Sequence, residues 1–150
     1  MDGYNVLYTV ANYLQGRPLF ISNDGYLRDA GELHGRHPDR GRLDKSISTV
    51  LAFLRRLAPR KVMIYLDSPV AHSGEIAAEL RNAILAYGLV GSASTARSAD
   101  AALRAASTGV ISSSDSAVID RAMVPVFDLA RHVLFRSYGL KPIRLDRVLR

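Results

Sequence analysis

The chain contains no cysteine, and its apolar runs are short. The absence of cysteine excludes disulfide frameworks, thiolate metal sites and cysteine nucleophiles. The run at residues 62–66 is among the longest apolar stretches, whereas a transmembrane helix needs roughly 20 apolar residues in a row. The first residues have neither the basic nor the apolar region of a signal peptide. We therefore expect no membrane association and a cytoplasmic location.

Several sequence signatures of common enzymes are also absent. There is no Gly-x-x-x-x-Gly-Lys loop and no Gly-x-Gly-x-x-Gly turn, so we expect no nucleotide cofactor. No Gly-x-Ser-x-Gly elbow presents a serine nucleophile, and no Asp-x-Asp follows a predicted strand, as an aspartyl phosphatase would require. His34 and His37 have a spacing that metal ligands use, but without further ligands nearby a solvated loop is the better interpretation.

The charge balance is basic and is carried by arginine. Lys and Arg number 20 against 14 Asp and Glu, which gives a net charge of +6 and a sequence pI of about 10.0. Only three of the basic residues are lysines. Arginine suits a planar grip on phosphate, so an anionic partner such as a nucleic acid is indicated. Genomic base composition explains an arginine bias equally well.

Length and hydrophobic pattern together predict a single domain over residues 1–150. Apolar runs at 62–66, 109–111 and 124–128 are typical of strands, and the proline in the last places it at an edge or a strand start. Helical patterns cover 47–57, 75–85, 99–106 and 129–138. Strands that alternate with helices favour an α/β fold with three α/β/α layers and a mostly parallel central sheet.

The segment from residue 18 to residue 42 has a different composition, rich in Gly, Asp, Arg and His. Residues 19–21 predict a short strand, and Asp24-Gly25 is a turn signal, so we expect a hairpin here. A mobile basic loop is predicted for residues 34–42, and loops of that length in a domain are often functional.

Aspartates recur where the predicted strands or helices end or begin. Ligands of open α/β folds bind at the carboxyl ends of the strands. Several carboxylates gathered there repel one another, and hard divalent cations such as Mg²⁺ or Mn²⁺ relieve that repulsion. Each aspartate taken alone is more simply a helix cap or turn residue; as a set they indicate a metal site. The aspartates are Asp2, Asp67, Asp100, Asp115 and Asp120.

Two motifs carry a family resemblance. Asp2-Gly3-Tyr4-Asn5-Val6-Leu7 resembles the opening motif of PIN-like and NYN-type nuclease domains. Asp100, an Ala-rich helix, Gly109 and then Ser-Ser-Ser-Asp115-Ser116 resemble the second half of the PIN pattern. The chain is similar over most of its length to an uncharacterised, mainly archaeal PIN-like family, whose pattern residues 66–70 and 73–75 also fit.

The resemblance implies a metal-dependent ribonuclease that hydrolyses phosphodiesters with a metal-activated water. It makes Asp2, Asp100 and Asp115 the catalytic, metal-binding acids. The second acid of the PIN set comes from a mid-chain helix, where Glu75 is preferred to Glu79. The expected metal ligands are Asp2, Asp67, Glu75, Asp100, Asp115 and Asp120, with Mg or Mn as the cofactor and with Asn5, Ser113 and Ser116 as supporting residues.

The chain departs from the family pattern at its start. In the family a central strand precedes the first Asp, which here is residue 2. We therefore expect the first central strand to be missing before Asp2, unless the true start lies upstream or another segment fills the centre of the sheet. Without that strand we expect Asp2 to lie on a mobile terminus. An open slot in the sheet would also favour a homodimer formed by strand addition.

Basic residues flank the predicted acids and suggest RNA as the partner. Their alternative role is ordinary solubility. The second functional hypothesis is an RNA-binding or scaffolding module of the same fold that has lost efficient catalysis. The candidate nucleic-acid-binding residues are Arg36, Arg40, Arg42, Lys45, Arg144 and Arg147.

Overall fold

A computed structural model of the chain describes residues 1–30 and 38–145. The described elements follow in the order α1 (Gly3–Leu14), β1 (Leu19–Ile21), β2 (Leu27–Asp29), α2 (Arg40–Leu57), β3 (Val62–Asp67), α3 (Ser73–Ala86), β4 (Gly91–Ala96), α4 (Ala99–Arg104), α5 (Ser116–Ile119), α6 (Leu129–Tyr138) and β5 (Ile143–Arg144).

Strands β3 and β4 form a two-stranded parallel sheet. Their register runs from Val62 opposite Gly91 to Asp67 opposite Ala96. The apolar run of β3 is confirmed as a strand, but β4 was not predicted because its sequence, Gly-Ser-Ala-Ser-Thr-Ala, has no apolar run. A Cβ atom at Gly91 would collide with the backbone of Val62. Glycine therefore allows the two strands to pair closely at this end.

Beside β3 lie short pieces of backbone that pair without forming long strands. The carbonyl of Met1 accepts a hydrogen bond from the N–H of Tyr65 (3.0 Å), and the N–H of Asp2 donates to the carbonyl of Ser112 (2.9 Å). Ile111 in turn makes an isolated parallel bridge with Val126. The strands predicted at 109–111 and 124–128 are thus reduced to this single bridge, because each segment turns away into a loop. We call these segments beside β3, namely residues 1–2, 110–112 and 125–127, the central lane.

A second, smaller sheet has the order β2-β1-β5. The predicted hairpin is confirmed, since β1 and β2 pair antiparallel from Leu19 opposite Asp29 to Ile21 opposite Leu27. β5 joins the other side of β1 in the parallel direction. The side chain of Asp29 anchors the hairpin to α1 by accepting hydrogen bonds from Thr9 Oγ1 (3.3 Å) and Asn12 Nδ2 (3.0 Å).

Helix α2 begins earlier than the hydrophobic pattern predicts. Asp39 caps it by accepting a hydrogen bond from the N–H of Arg42 (3.0 Å). The prediction of a loop through residue 42 is therefore wrong for 40–42, which form the first turn of the helix. The rest of that predicted loop falls partly on residues 31–37, outside the described residues. The helix ends as predicted just before Pro59, with Ala58 in the left-handed conformation (φ 51°).

Alternate residues of β3 contribute to two separate apolar clusters. Val62, Ile64 and Leu66 belong to the main core, which α1, α2, α3 and α6 complete. Tyr65, on the opposite face, packs against a small cluster of Leu103, Ile111 and Val118. Both faces of the strand are therefore covered, as in mixed α/β proteins.

The coarse fold class is confirmed, since helices and strands mix in an α/β arrangement, but the sheets are small. Among residues 1–30 and 38–145, none of the helices has the length and apolar character needed to span a membrane.

Candidate metal and active site

Asp2 lies at the end of the central lane where α1 begins. Its carboxylate caps the helix by accepting a hydrogen bond from the N–H of Asn5 (3.0 Å), and its exposure is only 6%. The backbone of the same residue pairs with Tyr65 on one side and Ser112 on the other. The expectation that Asp2 lies on a mobile terminus is therefore wrong, because these contacts fix it.

Gly3 lets Asp2 approach β3 this closely. A Cβ atom at position 3 would collide with the side chains of Leu66 and Ile64. A helix that starts directly against a buried strand has no space for a side chain at its first residue. The Asp-Gly pair in the sequence thus has a packing reason as well as a family resemblance.

Asp67 and Asp100 come from the carboxyl end of β3 and the first turn of α4. Asp67 closes β3, and its Oδ1 accepts a hydrogen bond from the N–H of Ala99 (2.9 Å). Ser98 caps the same helix through its hydroxyl, which accepts from the N–H of Ala101 (3.2 Å). Asp67 thereby holds the start of α4, and with it Asp100, against the end of the strand.

Asp115 caps the short helix α5. Its Oδ1 accepts hydrogen bonds from the N–H groups of Ala117 (2.7 Å) and Val118 (3.1 Å), and its own N–H donates to Ser113 Oγ (3.1 Å). The ordinary role of a helix cap therefore holds for this residue. One carboxylate oxygen remains outside these hydrogen bonds and is available to a ligand.

The four aspartates lie near enough to influence one another's charge, and we call Asp2, Asp67, Asp100 and Asp115 the acid cluster. Burial raises the pKa of Asp2 to about 7, against the effect of the Asn5 hydrogen bond and with a further contribution from the negative charges of Asp100 and Asp67. Burial, followed by the charges of Asp115 and Asp67, also raises the pKa of Asp100. Mutual repulsion of this kind is what a bound cation removes.

Asn5, one of the predicted supporting residues, contacts both Asp2 and the loop before Asp115. Its side-chain oxygen accepts hydrogen bonds from the N–H (2.9 Å) and the hydroxyl (3.1 Å) of Ser114. The Asn5 side chain therefore holds the loop that contains Asp115 against helix α1. Asn5 contacts Asp2 through its backbone N–H. Ser113, another predicted supporting residue, accepts a hydrogen bond at its hydroxyl from the backbone N–H of Asp115.

Arg28 is a residue of this region that the sequence did not indicate. Its guanidinium group grips Asp24 with two hydrogen bonds (2.8 and 2.6 Å) and donates to Ser116 Oγ (2.9 Å). The hydrogen bond with Asp24 raises the pKa of Arg28, and the charges of Asp115 and Asp128 contribute. Because Ser116 is 88 positions away in sequence, no local pattern could have placed this cation beside the cluster.

Two predicted ligands are not brought to the acid cluster. The Glu75 side chain is 74% exposed and lies 3.2 Å from His72 Nδ1. Asp120 lies at the opposite end of α5 from Asp115 and is exposed. Glu79, the alternative mid-chain acid, pairs with Arg40.

The residues predicted to bind nucleic acid differ in whether an acidic side chain already pairs with them. Arg40 pairs with Asp44 and Glu79, and Arg42 pairs with Asp39. Lys45 is exposed, and the described residues give it no ion pair. Arg144 lies in β5 opposite Ile21, while Arg36 and Arg147 fall outside the described residues.

All of these charges on α2 belong to its N-terminal half. Arg40, the first residue of α2, pairs with Glu79 in the middle of α3. Further along α2, Asp44, Ile47 and Ser48 line a surface pocket with residues of α3.

The donor chemistry of the acid cluster fits a hard divalent cation, since each candidate ligand is a carboxylate oxygen. Near the cluster, the buried hydroxyl of Tyr4 has no hydrogen-bond partner among the described residues. Burial, followed by the charges of Tyr8 and Asp67, raises the pKa of Tyr4 to about 12. Over residues 1–30 and 38–145, however, no three acidic or histidine side chains are already arranged as a set of metal ligands.

Comparison with known proteins gives a family and one distant relative. Residues 1–132 match the family described as a domain of unknown function, DUF5616. A Methanocaldococcus jannaschii protein, described as uncharacterized protein MJ0935, is 29% identical over 119 residues, which are 79% of this chain and 56% of that protein. The chain therefore spans about half the length of that relative. No solved structure matches it. Because the family match covers most of the residues, the chain belongs to the DUF5616 family.

Proposed function

We propose that this protein is a divalent-metal-dependent ribonuclease with a PIN-like fold of three α/β/α layers around a parallel sheet, acting in the cytoplasm. The observation that carries the proposal is the acid cluster. Four aspartates that are far apart in sequence lie near enough to affect one another's charge, and burial and mutual charge raise the pKa values of Asp2 and Asp100. Such a cluster is costly for stability, and perturbed carboxylates of this kind are typical of functional sites.

In this proposal Asp2, Asp100 and Asp115 bind Mg²⁺ or Mn²⁺. The cation, when bound, supplies positive charge for the carboxylates and the phosphodiester and lowers the pKa of water. Asp67 keeps Asp100 in position through the start of α4, and Asn5 keeps Asp115 in position through Ser114.

Two sets of basic groups are assigned to the RNA backbone. Arg28 lies beside Asp115 with its guanidinium plane fixed by Asp24, so it can contact a phosphate oxygen next to the scissile bond. Lys45, with Arg40 and Arg42, extends the positive surface along α2. Contacts of this kind make affinity fall as the salt concentration rises.

The decisive experiment measures Mn²⁺-dependent cleavage of a pool of single-stranded and structured RNA. The variants are Asp100→Asn and Asp115→Asn, and the matched controls are Glu75→Gln and Asp120→Asn, which remove carboxylates outside the cluster. We expect the first pair to lose about a hundredfold or more in rate, equal to about 3 kcal/mol of transition-state stabilisation, and the control pair to retain the wild-type rate. EDTA should abolish cleavage by the wild type.

Two results would contradict the proposal. Cleavage that persists unchanged in both cluster variants would come from a contaminating nuclease. Equal losses in the cluster and control variants, at equal thermal stability, would show that the acid cluster is not the site.

The second candidate function is an RNA-binding module without catalysis. It is favoured by the lack of a preformed set of three ligands in the described part of the chain. This function predicts no metal-dependent cleavage by the wild type, together with salt-sensitive RNA binding that Asp115→Asn leaves unchanged.

A further inference from the structure

Helices α2 and α6 enclose a surface groove that combines cations with apolar side chains. Its volume is about 450 Å³, and we call it the helix groove. Phe53, Arg56 and Leu57 of α2 line it on one side, and Arg136 of α6 lines it on the other. Phe53 is half-buried, so one part of its ring packs against the core while the rest borders the groove.

The cations around the helix groove have no acidic partners. Arg56 and Arg136 are both exposed, and neither forms an ion pair within residues 1–30 and 38–145. The same is true of the neighbouring cations at the end of α2 and the start of β3, which are Arg55, Arg60 and Lys61.

The opposite end of α2 is different. There, Arg40 and Arg42 are already paired with the carboxylates of the same helix, its cap and α3. The last turn of a helix favours a cation, which accounts for Arg56 in α2 and Arg136 in α6 taken singly. It does not account for the meeting of both arginines at one groove with an apolar floor.

A second groove adjoins the first, since Leu57 lines both. It has a volume of about 340 Å³ and lies between the start of β3 and residues 110–112, and we call it the lane groove. Phe127 lines the lane groove, and its ring stacks on His132 with centroids 4.5 Å apart. His132 and Arg136 are one turn apart on α6 and therefore share a face. The two grooves thus form one continuous surface with aromatic rings along it.

The charge of this surface selects a polyanion as its occupant. None of the side chains that line either groove is acidic, and Lys61 adds a further cation to the lane groove. Proteins bind single-stranded nucleic acids with this combination, because the bases stack on aromatic rings while arginine and lysine contact the phosphates. A duplex has its bases already stacked inside and offers the grooves only its phosphates.

We propose that the helix groove and the lane groove together bind single-stranded RNA, with Arg56 and Arg136 on the phosphates and Phe53 against a base. The choice of RNA rests on the proposed function, whereas the surface itself is argued from its own residues. Val62, in the lane groove, and Asp67, in the acid cluster, stand at opposite ends of β3. Their separation along the strand is about 17 Å, so the RNA bound here lies away from the scissile bond.

The test measures the binding of a fluorescently labelled oligo(U) RNA by anisotropy over a series of salt concentrations. The buffer contains EDTA, so that cleavage plays no part. The variants are Phe53→Leu and the double variant Arg56→Gln with Arg136→Gln. Arg121→Gln is the matched control, because Arg121 is exposed, lines neither groove and has no ion pair in the described part of the chain. Thermal midpoints are compared to confirm that all four chains fold.

We expect the double variant to lower the slope of log affinity against log salt by about 1.4, since each phosphate contact of a single strand contributes about 0.7. At about 0.1 M salt this corresponds to a loss of about twentyfold in affinity. Phe53→Leu should weaken binding by about fivefold or more and leave the slope unchanged, because it removes a stacking partner and no charge. Arg121→Gln should bind as the wild type does.

Three results would overturn the proposal. Equal losses in Arg121→Gln and the double variant would reduce the effect to overall charge. Equal affinity for a duplex RNA, with Phe53→Leu binding as the wild type does, would show a site for phosphates without bases. Tighter binding to phosphatidylglycerol vesicles than to RNA, through the same two arginines, would make the surface a membrane contact.

Failure of this proposal and failure of the proposed function give different results. RNA binding that depends on Arg56 and Arg136, without any Mn²⁺-dependent cleavage, would support the RNA surface and contradict the ribonuclease. Cleavage that Asp100→Asn abolishes, together with RNA binding that neither groove variant weakens, would overturn the RNA surface and leave the ribonuclease in place.

Discussion

The two ends of the central lane use opposite chemistry on the same backbone framework. At the carboxyl end, the acid cluster gathers charged groups that repel one another. At the amino end, an apolar groove of about 340 Å³ lies between the start of β3 and residues 110–112. Repulsion between carboxylates is relieved by a bound cation, whereas an exposed apolar surface is covered by contact with other apolar groups. The same backbone framework thus presents two surfaces that suit different occupants.

The largest expected effect concerns the charge of Asp2. Its pKa is raised to about 7 in the folded protein, so the folded state binds its proton more tightly than the unfolded state. This contribution is present at low pH and is lost as the pH rises toward 7. Between pH 4 and pH 6 the loss amounts to about 2.5 kcal/mol. We expect Asp2→Asn, which still caps α1, to remove this part of the pH dependence of the unfolding free energy.

The amino group of Met1 sets the pH range of that experiment. Burial lowers the pKa of the Met1 amino group to about 6, and a lowered amine pKa makes stability rise between pH 6 and 8, the opposite sign. Below pH 6 the amino group stays protonated in both states. Urea unfolding of the metal-free wild type and Asp2→Asn from pH 4 to 6, with Asp120→Asn as the exposed control, checks the prediction. Parallel curves for wild type and Asp2→Asn would contradict it.

A smaller effect is expected from Gly3, which lies against β3 directly after Asp2. Gly3→Ala introduces a Cβ atom that collides with Leu66 and Ile64, and overpacking of this kind costs about 2 kcal/mol. Gly74→Ala is the matched control, since its Cβ atom meets nothing within 4 Å in helix α3 and alanine favours the helix. Urea unfolding should show a loss for the first variant and no loss for the second. Equal stability of both would mean that α1 shifts without cost.

The smallest of the three effects isolates the hydrogen bonds that hold the acid cluster together. Asn5→Ala removes the acceptor of both Ser114 groups and should cost about 1 to 2 kcal/mol. Ser114→Ala removes only the hydroxyl and should cost less. If Asn5 positions Asp115, Asn5→Ala also weakens Mn²⁺ binding measured by calorimetry. A variant that unfolds more easily but binds Mn²⁺ as the wild type does would reduce Asn5 to a structural role.

The sequence predicted those features that depend on local patterns. The apolar run of β3, the stop of α2 before Pro59 and the hairpin around Asp24-Gly25 are each encoded within a few residues. Helix α1 and strand β4 were not predicted. The first begins directly at the end of a motif interpreted as a strand end, and the second owes its existence to pairing with β3 rather than to its small polar residues.

The residues of the candidate site were likewise predictable only where a local pattern determines their position. Asp2, Asp67, Asp100 and Asp115 each end or begin an element, so the general rule for α/β folds was enough to group them. Glu75 was misplaced because its position at a helix start says nothing of the direction of its side chain, which points to His72 and solvent. Arg28 was missed because its position depends on a contact between the hairpin and α5.

The bond between Asn5 and Ser114 has a consequence for how the protein folds. It joins residues 109 positions apart, and contacts of such separation form only after a long loop has closed. We therefore expect the acid cluster to be assembled late, after β3 and its helices are in place. During synthesis from the N-terminus, Asp2 emerges long before Asp115, so a nascent chain lacks the complete cluster until residue 115 has been made. If the cluster cleaves RNA, this order delays the activity until that stage of synthesis.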